Sequence, residues 1–367
     1  AHTRLIEAQG ALGGIWTLGA MAHICGFNEA KGGLLCEIRD KLKARGAVGL
    51  SGRDFDIEST KLLLEELCQQ AGVRVRLHTR VVAAQRDASN RVTAVLTESK
   101  SGREAWTADV IIDCTGDGDV AALAGCGFDV GSPEGGATQP MSLIAVVGGV
   151  ALEQIRPFTN VRIKEPGADP LSHKNRLRRL LEDAGTPPSY SGPTLFHVYD
   201  DLYMLMSNHE YACSAMDADD LTRATMRGRS ELHAQIAALR KLGGAWKNIR
   251  IVATSAQIGV REGRRIHGRY TITVDDLIKG ARHDDAVTRC QFNIDVHSTN
   301  PAHGKGIDAA SRKARPYDIP LRALIASDVD GLMMAGRCIS GDFLAHASYR
   351  VTADAVPMGE AAGRTAA

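Results

Sequence analysis

Arginine is concentrated at one point of the chain, where "GVREGRRIHGRY" places Arg261, Glu262, Arg264 and Arg265 within five residues. Guanidinium groups clamp carboxylates in bidentate fashion and stabilise negative charge on a reacting group. Arg261 and Arg265 share a face whether the stretch is helical or extended. Glu262 equally suits a structural ion pair that holds one arginine between two parts of the fold. A second pair, His346 and Arg350 in "LAHASYR", stands four residues apart. A histidine there has the pKa range for proton transfer near neutrality, and an interdomain hydrogen bond is its alternative role.

Such side chains need a scaffold, and glycine-rich turns after apolar runs supply its outline. "RLIE" puts Glu7 directly after a short apolar run, where an acid hydrogen-bonds the ribose of an adenine dinucleotide or is simply a solvated loop carboxylate. Gly13 and Gly14 in the following "GALGG" let backbone approach a ligand closely. "VIIDCTGDGDVAALAG" runs from a strand ending near Ile112 through Thr115, Gly116, Asp117, Gly118 and Asp119 into an alanine-rich helix. Backbone amides at that helix start can meet polar ligand atoms, and Asp117 and Asp119 are alternatively helix caps. "GLMMAGRCISGDFLAHASYRV" repeats the order of strand, glycine turn, polar loop and helix.

The surrounding pattern is that of an α/β protein. "FDIESTKLLLEELCQQAG" predicts a helix ending at Gly72, and residues 73–112 alternate as a meander of short strands. From Met141 the texture changes to a strand, a proline- and charge-rich stretch to Pro193, a short helix at "HKNRLRRLLEDAG", two strands and a long helix "LTRATMRGRSELHAQIAALRKLG". The division expected is 1–140, an inserted unit 141–270, and a return to the first unit at 271–367. The 367 residues carry 44 basic and 43 acidic side chains, so no global field attracts nucleic acid. No apolar run approaches the ~20 residues of a membrane helix, and a cytoplasmic location is expected. The eight cysteines show no C-x-x-C spacing, so neither a zinc site nor an iron–sulfur run is legible and no metal is expected.

Taken together, "LIEAQGALGG", "KSGREAWTADVIIDCTGDGD", "QPMSL", "IGVREGRRIHGRYTIT", "ARPYDIPLRALI", "MMAGRCIS", "AHASYRV" and "MGEAAG" resemble, across the whole chain, the FAD-dependent oxidoreductase family related to heterodisulfide reductase A-type flavoproteins. A more distant likeness is to the fumarate reductase and thiazole synthase flavin folds. The resemblance implies a Rossmann-like FAD-binding domain with an inserted α+β substrate domain and the flavin at their junction. It assigns Glu7 to the adenosine ribose, Gly13 and Gly14 to the turn along the cofactor, and Val82 to a backbone contact with adenine. Thr115, Gly116 and the adjoining Asp117 then line the dinucleotide. Gly336 and Arg337 approach the pyrophosphate or ribitol, and the helix after Arg350, with Gly359, faces the flavin pyrimidine. Arg261, Arg265, His346 and Arg350 fall to catalysis.

The family also implies a first strand, a G-x-G-x-x-G turn and a first helix ahead of Thr3, about thirty residues that hold the pyrophosphate. "GDGDVA" has Ala121 in place of the third glycine, so an N-terminally truncated chain that holds FAD weakly is expected. The last helix departs from the family pattern at Thr352, Ala353 and Asp354, with Pro357 displaced and Glu360 where glutamine is usual. Pro357 is expected in the first helical turn, and Asp354 is expected to oppose negative charge on reduced flavin. The function expected is hydride transfer between FAD and a small polar or acidic substrate, with a redox partner protein as electron acceptor or donor. The alternatives are an electron-transfer subunit with iron–sulfur partners and a non-catalytic flavin-fold protein.

Overall fold

In a computed structural model that describes residues 2–28, 31–161, 172–303 and 313–367, helices and sheets are both present in a mixed α/β arrangement. Residues 162–171 of the proline- and charge-rich stretch lie outside the described residues.

The first unit opens with β1 (Arg4–Ile6), followed by α1 (Gly33–Ala44), α2 (Ile57–Gln70) and β2 (Arg74–Arg76). Asp56 caps α2 by accepting from the Ser59 amide at 2.7 Å, and Gly72 lies just beyond its end at φ +69°. β2 does not join the meander as expected but pairs parallel with β1, Leu5 opposite Val75. The meander itself is β3 (Arg80–Arg86), β4 (Val92–Ser99) and β5 (Gly102–Thr107), antiparallel throughout. Next come β6 (Ile111–Asp113), α3 (Asp119–Leu123) and β7 (Phe128–Asp129).

Residues 145–254 build a second sheet. Its elements are β8 (Ala145–Gly148), α4 (Leu152–Ile155), α5 (His173–Asp183), β9 (Thr194–Tyr199), β10 (Leu202–Met206), α6 (Ala218–Leu242) and β11 (Arg250–Thr254). The antiparallel strand order is β11-β8-β10-β9. α6, capped by Asp217, buries Ala224, Leu232, Ile236 and Leu239 into a core shared with Leu143, Val147, Tyr203 and Leu205. Gly228 lets it approach closely, since a Cβ there would stand 3.0 Å from that of Leu143.

The chain then returns through β12 (Arg265–Ile266), α7 (Val274–Lys279), β13 (Ala286–Cys290), β14 (Tyr317–Pro320), β15 (Leu332–Met334), α8 (Phe343–Tyr349) and α9 (Thr352–Ala366). β15 pairs parallel with β6, Met333 opposite Ile112, and β12 pairs with β7. One core joins this return to the first unit, with Val92, Val120, Ile266, Tyr317, Leu332 and Met334 buried together. Parallel pairs served by glycine turns and covering helices make the first unit a Rossmann-like domain, so the fold class agrees with expectation.

Candidate functional site

The glycine turns gather at the ends of the parallel strands. Glu7 follows β1 and is half-buried; its Oε1 accepts from the Gln9 amide at 2.8 Å. Gly13 and Gly14 both have positive φ, but differ in surroundings. A Cβ on Gly13 would strike Thr17 and Leu64, so packing demands glycine there, whereas Gly14 faces open space. Val82 sits at a bulge of β3, because the register with β4 steps from Val81 to Ala83. It lines a surface groove of about 480 Å³ with Arg80, Asp119 and Arg264.

After β6 the structure uses its polar groups differently from expectation. Asp113, fully buried, accepts from the Thr115 amide and hydroxyl at 2.9 and 2.7 Å and from the Ala121 amide at 2.9 Å. The Thr115 hydroxyl accepts in turn from the Asp119 amide at 2.8 Å. These bonds engage two amides of the first turn of α3, so that helix start does not offer its full set of donors to a ligand; this corrects the expectation for the segment. Burial raises the Asp113 pKa against the pull of those hydrogen bonds. Asp117 bonds Arg337, Oδ1 to Nη1 at 2.5 Å, across the turn at Gly116. A Cβ on Gly116, at φ +80°, would stand 2.8 Å from the Arg337 guanidinium. Gly336 adopts φ +86° after β15, and Gly359 lies on α9 with free space beside it.

Arg261 and Arg350 meet where the segments around Pro140, Arg261 and Asp295 come together. Arg261 lies in the loop before β12, not on a helix, and donates from Nη1 to the Pro140 carbonyl at 2.7 Å and the Ser142 hydroxyl at 2.9 Å. Arg350 donates from Nη1 to the Arg261 carbonyl at 2.9 Å, and from Nη2 to Gln139 Oε1 at 3.1 Å and the Asp295 carbonyl at 2.9 Å. Burial pulls the Arg350 pKa down to about 10. Arg265 stands apart. It is 4% exposed, pairs with Glu262 at 2.5 Å and donates to the Gly131 carbonyl at 3.0 Å. Its role is the structural ion pair, and the catalytic expectation for Arg265 is corrected on that ground.

Three further expectations change. His346 is fully buried, and burial with the charges of Arg350, Arg265 and Arg337 drives its pKa well below the ordinary value. It stays neutral and does not carry protons at neutral pH. Pro357 is the sixth residue of α9, outside the first turn, so it removes an internal hydrogen bond. Asp354 is buried but paired with Lys31, whose ammonium also donates to the Arg289 carbonyl at 3.1 Å. The charge expected to oppose a reduced flavin is thus matched locally. Glu360 accepts from the Leu34 amide at 2.9 Å, placing a carboxylate at the start of α1, where the helix dipole favours it.

Sequence reasoning assigns no role to a further cluster of buried polar rings. Tyr190, His209, Tyr211 and His297 pack ring to ring, with His209 4.1 Å from Tyr190 and 5.0 Å from His297 between centroids. His297 Nε2 lies 3.3 Å from Asp295 Oδ2, and the His297 amide donates to Gln139 Oε1 at 2.9 Å. Crowding raises the Asp295 pKa, but His297, Arg350 and Arg261 outweigh it and hold the carboxyl below its ordinary range. Burial and Arg261 push the His297 pKa down to about 4. His209 and His297 are 88 positions apart, so no local spacing announces them.

Beside this cluster Glu210 is 3% exposed, and burial pushes its pKa up to about 7, with Glu231 adding to the rise and Arg227 opposing it. The folded pKa exceeds the ordinary 4.5, so the folded form holds the proton more tightly. The contribution of Glu210 to stability is therefore full below pH 4.5 and is lost as pH rises through about 7. Glu210→Gln is expected to flatten that decline in urea midpoints measured across this window; an unchanged slope would assign the decline elsewhere.

Among the described residues no group of three or more His, Cys, Asp or Glu side chains is placed to hold a metal, and no helix is long and apolar enough to cross a membrane. No curated protein sequence matches the chain. Similar solved structures include AlpK, at 13% identity and TM-score 0.37, covering 74% of this chain and 50% of that one. A geranylgeranyl bacteriochlorophyll reductase-like protein from Thermoplasma acidophilum has 9% identity, TM-score 0.39 and coverages of 85% and 52%. L-proline dehydrogenase from P. horikoshii has 11% identity, TM-score 0.35 and coverages of 89% and 63%. The chain thus spans about half the length of the first of these. The family model for FAD dependent oxidoreductases matches residues 1–367, and the chain belongs to that family.

Proposed function

We propose that the protein is an FAD-dependent oxidoreductase for a small polar or acidic organic substrate, with the substrate seated against Arg261. The observation that carries this is the linked pair Arg261 and Arg350. The second arginine fixes the backbone of the first, while Arg261 spends only Nη1 on the described residues. A free guanidinium edge beside neutral imidazoles and phenols suits a carboxylate.

The residues present would suit a dinucleotide laid along one line. Glu7 offers a carboxylate for the ribose, Gly14 an open turn, Val82 a residue outside the strand register, and Gly116 with Gly336 two turns at positive φ. Arg337, Asp117 and Thr115 border that line, and Gly359 lies on the helix that begins after Arg350. When bound, FAD supplies hydride transfer; the chain supplies position and charge. Arg261 orients the acid, Arg350 holds Arg261 and the Gln139 side chain in place, and Tyr190 with Tyr211 screens the site from water. The corresponding division is an FAD domain from 1–140 and 271–367 with a substrate unit at 141–270. One of the two grounds for the non-catalytic alternative was Asp354, which pairs with Lys31.

Loading the chain with FAD and reading its visible absorbance tests this. Bound flavin is expected, and Gly116→Val, which forces a side chain against Arg337, is expected to lower its retention at least tenfold. A colourless protein under saturating FAD would contradict the proposal.

A further inference from the structure

Of the buried imidazole nitrogens without a hydrogen-bond partner among the described residues, two belong to this ring cluster. His209 and His297 are each 5% exposed, and neither Nε2 of His209 nor Nδ1 of His297 has a hydrogen-bond partner among the described residues. A buried donor or acceptor left unpaired is costly, so such atoms in a native fold call for a partner.

The bonds made by the other nitrogens fix what that partner must be. Asp295 as a carboxylate only accepts, so the His297 nitrogen facing it, Nε2, carries the hydrogen and Nδ1 is a bare acceptor. Tyr211 places its hydroxyl 3.1 Å from His209 Nδ1. With Tyr211 as the donor in that bond, His209 Nε2 carries the hydrogen of the ring. One donor and one acceptor, on rings 5.0 Å apart, match a group that does both. A hydroxyl does, and a carboxylate does not.

The positive charge is anchored to the same two histidines. Arg261 bonds Ser142, whose hydroxyl donates to the Asn208 carbonyl at 2.7 Å, one residue before His209. On the other side, Arg350 bonds both the Arg261 carbonyl and Gln139, which accepts from the His297 amide. The charged and titratable groups facing His297 are Asp295 on its own loop, Arg261 before β12, Arg350 at the end of α8, His209 and Tyr211 after β10, and Tyr190 before β9.

We propose that Arg261, His209 and His297 form the binding site of a 2-hydroxycarboxylate. The carboxylate meets the Arg261 guanidinium, and the hydroxyl donates to Nδ1 of His297 while accepting from Nε2–H of His209. Asp295 and Tyr211 are positioning residues that set the two tautomers. The proposal rests on the assignment of an acidic substrate to Arg261, and narrows it from acids at large to those with a hydroxyl on the adjacent carbon.

Calorimetric titration of the full chain with glycolate and with acetate, which lacks only the hydroxyl, tests it. Glycolate is expected to bind about tenfold or more tightly than acetate. His297→Phe and His209→Phe should each bring glycolate down to the acetate level, and Arg261→Gln should weaken both by about tenfold or more. Equal affinities in the native protein would overturn the hydroxy-acid site, while leaving the acidic assignment standing if Arg261→Gln still weakens both ligands. Indifference of both ligands to Arg261→Gln would overturn the two together. If the phenylalanine variants do not fold, nitrogen NMR of the native histidines decides. His297 protonated on Nε2 and shifting with glycolate but not acetate is expected, and protonation on Nδ1 overturns the proposal.

Discussion

Glu262→Ala is expected to lose about 3–5 kcal/mol of stability, because it strands the Arg265 guanidinium in a place where it is 4% exposed. Glu262 is itself 2% exposed, and its second oxygen accepts from the Gln139 amide at 3.1 Å. Removing it therefore orphans a backbone donor as well as a charge. For a chain of this size the fall in Tm should be about 4–6 °C, read by thermal denaturation. Glu262→Gln, which keeps an acceptor for the amide, should fall between the two. The double change Glu262→Met with Arg265→Met should recover most of the loss, since breaking a buried pair costs far more than replacing both partners by apolar groups. Equal losses in the single and double variants would show that the pair is not the source. The effect should reach the site, because Gln139 also holds Arg350 and His297.

Arg261→Gln is expected to weaken an acidic substrate by about 10- to 150-fold, the range for a lost hydrogen bond to a charged partner of about 1.5–3 kcal/mol. Stability should change little by comparison, since Arg261 is only partly buried and its two bonds go to a carbonyl and a hydroxyl. The loss should appear in KM for a charged acid and be small for its uncharged amide. An equal effect on acid and amide would mean that Arg261 shapes the site without clamping the carboxylate.

Local signals made much of the frame legible. The helix ending before Gly72 and the long helix α6 form where expected, the meander is antiparallel, and Gly13, Gly14, Gly116, Gly118 and Gly336 in the turns adopt positive φ. What depended on distant partners was not legible. "VRVR" looks like one more meander strand, and only the tertiary fold decides that it runs parallel to β1. Asp354 read in isolation is a carboxylate facing the cofactor's place, but its partner Lys31 lies 323 positions away. Histidine carries no mark in sequence that separates a core ring from a working one. His346 drew attention because it neighbours Arg350, yet it is sealed in the core, while His209 and His297 acquire meaning only when β10 and the loop after β13 meet.

The central claim is that flavin and an acid clamped by Arg261 react on this chain. Anaerobic mixing of the FAD-loaded protein with a small hydroxy acid, followed by flavin absorbance, tests it most directly. Bleaching in the native protein that slows or demands far more acid in Arg261→Gln is the expected result. Bound flavin that bleaches equally fast in both proteins would contradict the account.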